Sequence, residues 1–147
     1  GGPYLDKHLR TIGFTIDPHE TALPNPYTTN VMHCWTGRAG KRDRPPKPDE
    51  LLRCWGWWTK ELELLEPKVI VLLGKPATES FGTVLGYSRD FRTLMMSDQG
   101  ETVEVGGASL KRFVLPHPTA PYKNKSVIYA DAFRAIGVAL GERAHDE

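Results

Sequence analysis

The chain has no apolar run long enough to cross a bilayer, and no signal peptide opens it, so a cytoplasmic protein is expected. Cysteine is scarce. Cys34 and Cys54 are the only two, which excludes a disulfide framework and leaves free thiols or ligands. Neither a CxxC nor an HxxxH pattern occurs, so nothing in the spacing marks a zinc site, even with His19 and His33 at hand. An excess of one charge is missing too. The 19 Lys and Arg stand against 18 Asp and Glu, a formal charge of +1, which gives no global signal for a polyanionic partner. There is no internal repeat and no low-complexity tract. With 147 residues, 39% hydrophobic and 25% charged, the chain suffices for one globular domain with a real core.

What is present is organised around ELLRCWGWWTKELELLEPKVIVLLG, from Glu50 to Gly74. Leu51, Trp55, Trp58, Leu62 and Leu65 recur on one face of a helix, with Lys60, Glu61 and Glu63 elsewhere. Pro67 cannot continue that helix and stops it near Glu66. Val69 to Leu73 is an uninterrupted, largely β-branched run, as a strand covered on both faces requires. Gly74 permits a sharp turn, and Pro76 suits the first turn of a following helix over Pro76–Phe81. This is a βα junction, and open α/β sheets bind ligands beyond the carboxyl ends of their strands.

The rest of the chain supplies the other elements. YLDKHLRTIG predicts a short helix with Leu5, Leu9 and Ile12 on one side. No strand precedes it, though an α/β sheet usually begins with one, so an upstream part is expected to be missing. Tyr27–Met32 is a short β-prone run. HCWTGRAGKRDRPPKPDE follows, its glycines and prolines arguing against regular structure. Arg38, Lys41, Arg42, Arg44 and Lys47 make it basic, either as a solvated loop or as a phosphate-contacting one. Phe91–Met96 reads as a further strand. Glu101–Val105 and Leu110–Leu115 read as strands joined at Gly106–Gly107. A last helix spans Ser126–Gly141, with Ser126 as its N-cap and Tyr129, Phe133, Ile136 and Leu140 facing inward.

Three polar features fall where strands end: Asn30, the Gly74–Lys75 turn, and His117-Pro118-Thr119. Parallel neighbouring strands would bring all three to one sheet edge. An asparagine carries a donor and an acceptor and can read an amide-like edge bidentately. It can equally be a turn-forming side chain. A histidine between two prolines can donate to an oxygen that gains charge, or can be an ordinary loop residue. Cys34 and Cys54 alone cannot complete a zinc or iron–sulfur site, which takes about four ligands. Taken on its residues alone, Cys54 reads as a buried free thiol. Trp35, Trp55, Trp57 and Trp58 are dense, and Trp35 suits either loop packing or stacking on a nucleobase.

In their order and spacing, these pieces resemble the uracil-DNA glycosylase superfamily, most closely its family 4, the iron–sulfur type. LDKHLRTIGF, YTTNVMHCW, the segment PPKPDELLRCWGWWTKELELLEPKVIVLLGKPATESF and VLPHPTA carry the resemblance. It implies a three-layer α/β/α fold with a mostly parallel central sheet, as a single domain over residues 1–147 lacking its N-terminal strand and first motif. It further implies a monomeric DNA repair enzyme that flips uracil out of DNA and hydrolyses its N-glycosidic bond. Asn30 then matches the uracil-reading asparagine, and His117 the histidine that stabilises the departing anion. Pro118 and Thr119 contact the substrate, while Tyr122 and Lys123 join Arg38, Lys41, Arg42 and Arg44 in binding DNA. Cys34 and Cys54 match two ligands of a 4Fe-4S cluster, expected as a structural brace in the complete protein.

The departures from the family define the competing reading. The Gly-Glu-Ala-Pro-Gly type loop that positions the attacking water is absent, and so is the first cysteine pair. A catalytically silent DNA-binding module of the same fold is therefore the alternative. The loop GRAGKRDRPP resembles the extended basic loop of the uracil-crosslinking branch. No histidine lies between Trp35 and Pro48, however, so covalent capture of DNA is not expected.

Overall fold

A computed structural model describes residues 2–31, 37–86, 90–97 and 99–145. In chain order the elements are α1 (Gly2–Arg10), β1 (Arg38–Ala39), β2 (Arg42–Asp43), α2 (Pro48–Leu65), β3 (Val69–Leu73), α3 (Lys75–Leu85), α4 (Phe91–Ser97), β4 (Glu101–Val105), β5 (Ala108–Leu115) and α5 (Lys125–His145).

The sequence sets α2 at both ends. Pro48 and the acids Asp49 and Glu50 occupy its first turn, and the Glu50 carboxylate accepts the Lys47 N–H at 2.8 Å. At the other end Glu66 adopts a left-handed conformation (φ 46°), its N–H returns to Leu62 O, and Pro67 forbids continuation. Its buried face is Leu51, Cys54 and Trp58, with Leu62 half-buried alongside. Trp55 and Leu65, expected on that face, are 49% and 47% exposed. The apolar arc is therefore rotated toward Cys54, and Trp55 lies on its margin.

β3 pairs in parallel with β5, from Val69↔Lys111 to Leu73↔Leu115, and β5 pairs antiparallel with β4. The Gly106–Gly107 connection has positive φ at both residues (58° and 83°), as a two-residue type I′ hairpin turn needs. The three-stranded sheet, in the order β3-β5-β4, is thus mixed, with one parallel and one antiparallel pair among the described residues. Side chains alternate between its faces. Val69, Val71, Leu73, Phe113 and Leu115 pack with α1 and α5, around Leu9, Tyr129, Phe133 and Ile136. Ile70, Leu72, Val103, Leu110 and Val114 pack with α2, α3 and α4, around Trp58, Phe81, Leu94 and Met95. Two helical layers enclose one sheet, the three-layer α/β/α architecture expected from the sequence. Trp58 stacks on Phe81 at 6.1 Å between ring centres, tying α2 to α3. Truncating Phe81 to alanine would empty that contact at a cost of about 3–5 kcal/mol.

Several local expectations are corrected. Phe91–Met96 is helical, because the Asp90 carboxylate caps it by accepting the Thr93 N–H at 3.1 Å and the Asp90 carbonyl accepts from Leu94 N–H. Residues 27–31 form no strand, and Met32 lies outside the described residues. The basic loop contains a short hairpin, β1 with β2, in place of wholly irregular structure. The last helix starts at Lys125, so Ser126 lies inside it; the carbonyl of left-handed Asn124 accepts from the Val127 and Ile128 amides.

Candidate functional site

Because β3 and β5 are parallel and in register, their carboxyl ends emerge side by side. Gly74 N–H donates to Leu115 O at 2.8 Å, extending the pairing by one step. The chain then turns into α3 at Gly74 with φ 88° and ψ 169°, a conformation that side chains resist. A Cβ there would lie 3.4 Å from the Cβ of His117. Two of the three features expected at one sheet edge, the Gly74 turn and His117, are therefore neighbours, at the carboxyl ends of the strands, the side on which open α/β sheets bind ligands.

His117 is exposed, between buried Pro116 and buried Pro118. Both prolines restrict the backbone. The Tyr129 hydroxyl, buried in α5, donates to Pro116 O, and that burial pushes its phenol well above the usual range. The His117 carbonyl accepts the Ala120 N–H at 2.9 Å. The ring is held as well. The Thr119 backbone N–H points at Nδ1 at 3.2 Å, and the Thr119 hydroxyl lies 2.8 Å from the same nitrogen. An amide N–H can only donate, so Nδ1 is the acceptor and the neutral ring carries its proton on Nε2. The exposed edge of His117 is thus an N–H donor. Such a group can stabilise an oxygen on which charge develops.

Asn30 is exposed in the irregular segment that follows the proline-rich connector. Its neighbour Val31 packs against the α2–α4 layer, the same cluster that holds Leu72 and Val114 near the ends of β3 and β5. Tyr122 is half-buried against that cluster too, and Lys123 beside it is exposed. A groove between α4 and α5 is lined by Arg92, Met96, Tyr122, Lys123, Val127 and Asp131; neither His117 nor Asn30 lines it.

The basic hairpin presents Arg38, Lys41 and Arg42 to solvent. Arg44 is different. Its guanidinium grips Glu50 at 2.6 and 3.1 Å, and its backbone N–H donates to Gly37 O, so it fastens the hairpin to the start of α2. The Arg44 hydrogen bond, with the Lys47 amide, holds the Glu50 carboxyl down at about 2.

Cys54 is a buried free thiol, while Cys34 and Trp35 lie outside the described residues. Among the described residues no three His, Cys, Asp or Glu side chains gather around a metal-sized space. A 4Fe-4S cluster takes four thiolates. The chain contains two, so its own residues do not complete such a site.

The profile of the Uracil DNA glycosylase superfamily matches residues 2–140. The chain belongs to the uracil-DNA glycosylase superfamily. It is 28% identical over 145 residues to a type-4 uracil-DNA glycosylase of Archaeoglobus fulgidus. That match covers 97% of this chain and 66% of the archaeal protein, so the chain spans about two thirds of that relative's length. Thr119, expected from the sequence as a substrate contact, has its hydroxyl and amide against His117 Nδ1. One contributor went unread in the sequence: Tyr129, which holds the turn through its hydroxyl. Tyr129 was legible only as an inward-facing core residue, though a buried tyrosine usually needs a partner for its hydroxyl.

Proposed function

We propose that this protein is a uracil-DNA glycosylase, which extrudes uracil from DNA and hydrolyses its N-glycosidic bond. The observation that carries the reading is the His117 ring. Its Nδ1 is committed to Thr119, which leaves Nε2–H free at the carboxyl end of the parallel pair. As the C–N bond breaks, the electron pair stays with the base, and negative charge spreads onto the uracil carbonyl oxygens. The sugar becomes oxocarbenium-like, and water then adds to its anomeric carbon. A fixed N–H donor near a uracil oxygen lowers the barrier because it meets charge that exists only late in the reaction. It need not give up its proton to do so.

The Asn30 carboxamide reads the donor–acceptor edge of the extruded base, a pattern that cytosine presents in reverse. Pro118 and Thr119 shape the floor under the base. Arg38, Lys41, Arg42 and Lys123 contact backbone phosphates, and Tyr122 lies at the strand-facing loop. Arg44 serves this surface by anchoring the hairpin. Cys34 and Cys54 act as cluster ligands only with two further thiolates from outside this chain, and no step of the chemistry is routed through a cluster.

Uracil release from a uracil-containing oligonucleotide is the test. His117→Ala and Asn30→Ala should each slow release by orders of magnitude while leaving the fold intact. DNA binding without base release by the unmodified protein would replace this reading with the silent binding module. Full activity in both variants would displace the assigned residues.

A further inference from the structure

We propose that Lys125 is a positioning residue for the His117 turn, gripping its backbone from α5 without contacting DNA; the proposal rests on the glycosylase reading above. A lysine ammonium has three donors. In Lys125 two are spent on main-chain carbonyls, Pro118 O at 2.8 Å and Ala120 O at 3.0 Å. The ammonium also lies 4.5 Å from the centre of the Tyr4 ring, within cation–π range. The side chain is only partly exposed. Two of the three donors are thus turned inward onto the backbone of the turn, and the cation lies over the Tyr4 ring.

The turn needs such a grip. Pro116, Pro118 and Pro121 have no N–H, so carbonyls are the main handles by which this stretch can be fixed. Four of them are taken. Pro116 O accepts from Tyr129, His117 O from the Ala120 amide, Pro118 O from Lys125, and Ala120 O from both Lys125 and the Tyr122 amide. Lys125 and Tyr129 stand four residues apart on the same face of α5. Tyr4 joins them from α1, edge-on to Tyr129 at 5.0 Å. The His117 ring takes its orientation from Thr119, which lies between the two carbonyls that Lys125 holds. A shift of that backbone moves Nε2 relative to the base. Misplacement by about 1 Å can cost roughly a hundredfold in rate.

The experiment compares Lys125→Met, Lys125→Gln and Lys125→Arg in the full chain, with Lys123→Met as the phosphate-contact control. Four quantities are read: single-turnover uracil release at saturating DNA, Kd against salt, amide exchange at Ala120, and Tm. Lys125→Met is expected to slow release roughly ten- to hundredfold, with Kd and its salt slope unchanged, and to speed exchange at Ala120. Lys125→Gln, which keeps a donor, should fold and show a smaller loss, and Lys125→Arg should recover part of the rate. Lys123→Met should instead weaken Kd and lower the salt slope by about one. The proposal is overturned by a loss confined to Kd and salt slope, which makes Lys125 a phosphate contact. It is equally overturned by a lower Tm with the saturating rate intact. Exchange at Ala120 needs no uracil release. Unchanged protection there in Lys125→Met removes the clamp whatever the activity, whereas faster exchange in a protein that frees no uracil upholds the clamp and sinks only the glycosylase reading.

Discussion

If Thr119 works only through the His117 ring, removing its hydroxyl should matter only while the ring is present. The perturbation is Thr119→Val, which deletes one hydrogen bond to Nδ1 and keeps the backbone N–H at 3.2 Å. A neutral hydrogen bond contributes about 0.5–1.5 kcal/mol, and this one is exposed, so the lower half applies. That corresponds to a fall of about two- to fivefold in single-turnover uracil release. His117→Ala removes the donor aimed at developing charge, worth about 2.7–4 kcal/mol, or roughly a hundred- to a thousandfold. In the double variant the Thr119 effect should vanish, because no ring remains to orient. The assay is single-turnover release from a single-stranded oligonucleotide at saturating enzyme, with each variant's Tm checked. An undiminished Thr119 effect on the His117→Ala background would refute the coupling. A His117→Ala loss no larger than that of Thr119→Val would refute the role given to the imidazole.

Three further outcomes are expected. Arg112 is buried (side chain 1% exposed) and pairs across β4–β5 with Glu101, itself 34% exposed. Glu101→Gln strands a buried charge and should cost about 3 kcal/mol, the low end for a buried pair, whereas Arg112→Met should cost much less; equal Tm losses would contradict this. The His8 ring is buried among Tyr4, Tyr129 and Phe133, and burial lowers its pKa below the usual 6.5. The unfolded chain then binds the proton more readily, so this contribution to stability is complete above about pH 6.5 and fades as pH falls below it. His8→Phe should flatten the Tm–pH curve between pH 7 and 5, and an unaltered slope would show that the acid sensitivity lies elsewhere. Replacing Arg38, Lys41 and Arg42 together by alanine should weaken DNA binding regardless of uracil and lower the salt slope by roughly 0.7–0.9 per lost phosphate contact; an unchanged slope would remove the hairpin from the interface.

The parts legible in the sequence were those fixed by local rules. The helical spacing from Leu51, Pro67 and the run Val69–Leu73 announce a helix, a stop and a strand without help from the rest of the fold. The meeting of Gly74 with His117 followed from one further step, that parallel strands end together. What stayed hidden depends on contacts across the chain. The seven-residue helix at Phe91–Ser97 is too short to establish a period, and its cap at Asp90 carries the signal. The strands of the basic hairpin have two residues each, too few for any alternation to show. Trp55 has the spacing of a core residue yet sits half-exposed, because Cys54 and Trp58 claim the buried arc of α2. Lys125 carried no signal in the sequence, because only the fold shows which carbonyls it reaches.

One half-buried carboxylate has more riding on it than its place at a helix start suggests. Glu50 at once closes the first turn of α2 and receives the guanidinium of Arg44. It is the hinge pin between the central helix and the cationic finger beside it. Drawing that pin, by acid near pH 2 or by an amide in its place, would loosen both leaves together, so the finger's aim and the helix's first turn share a single point of failure.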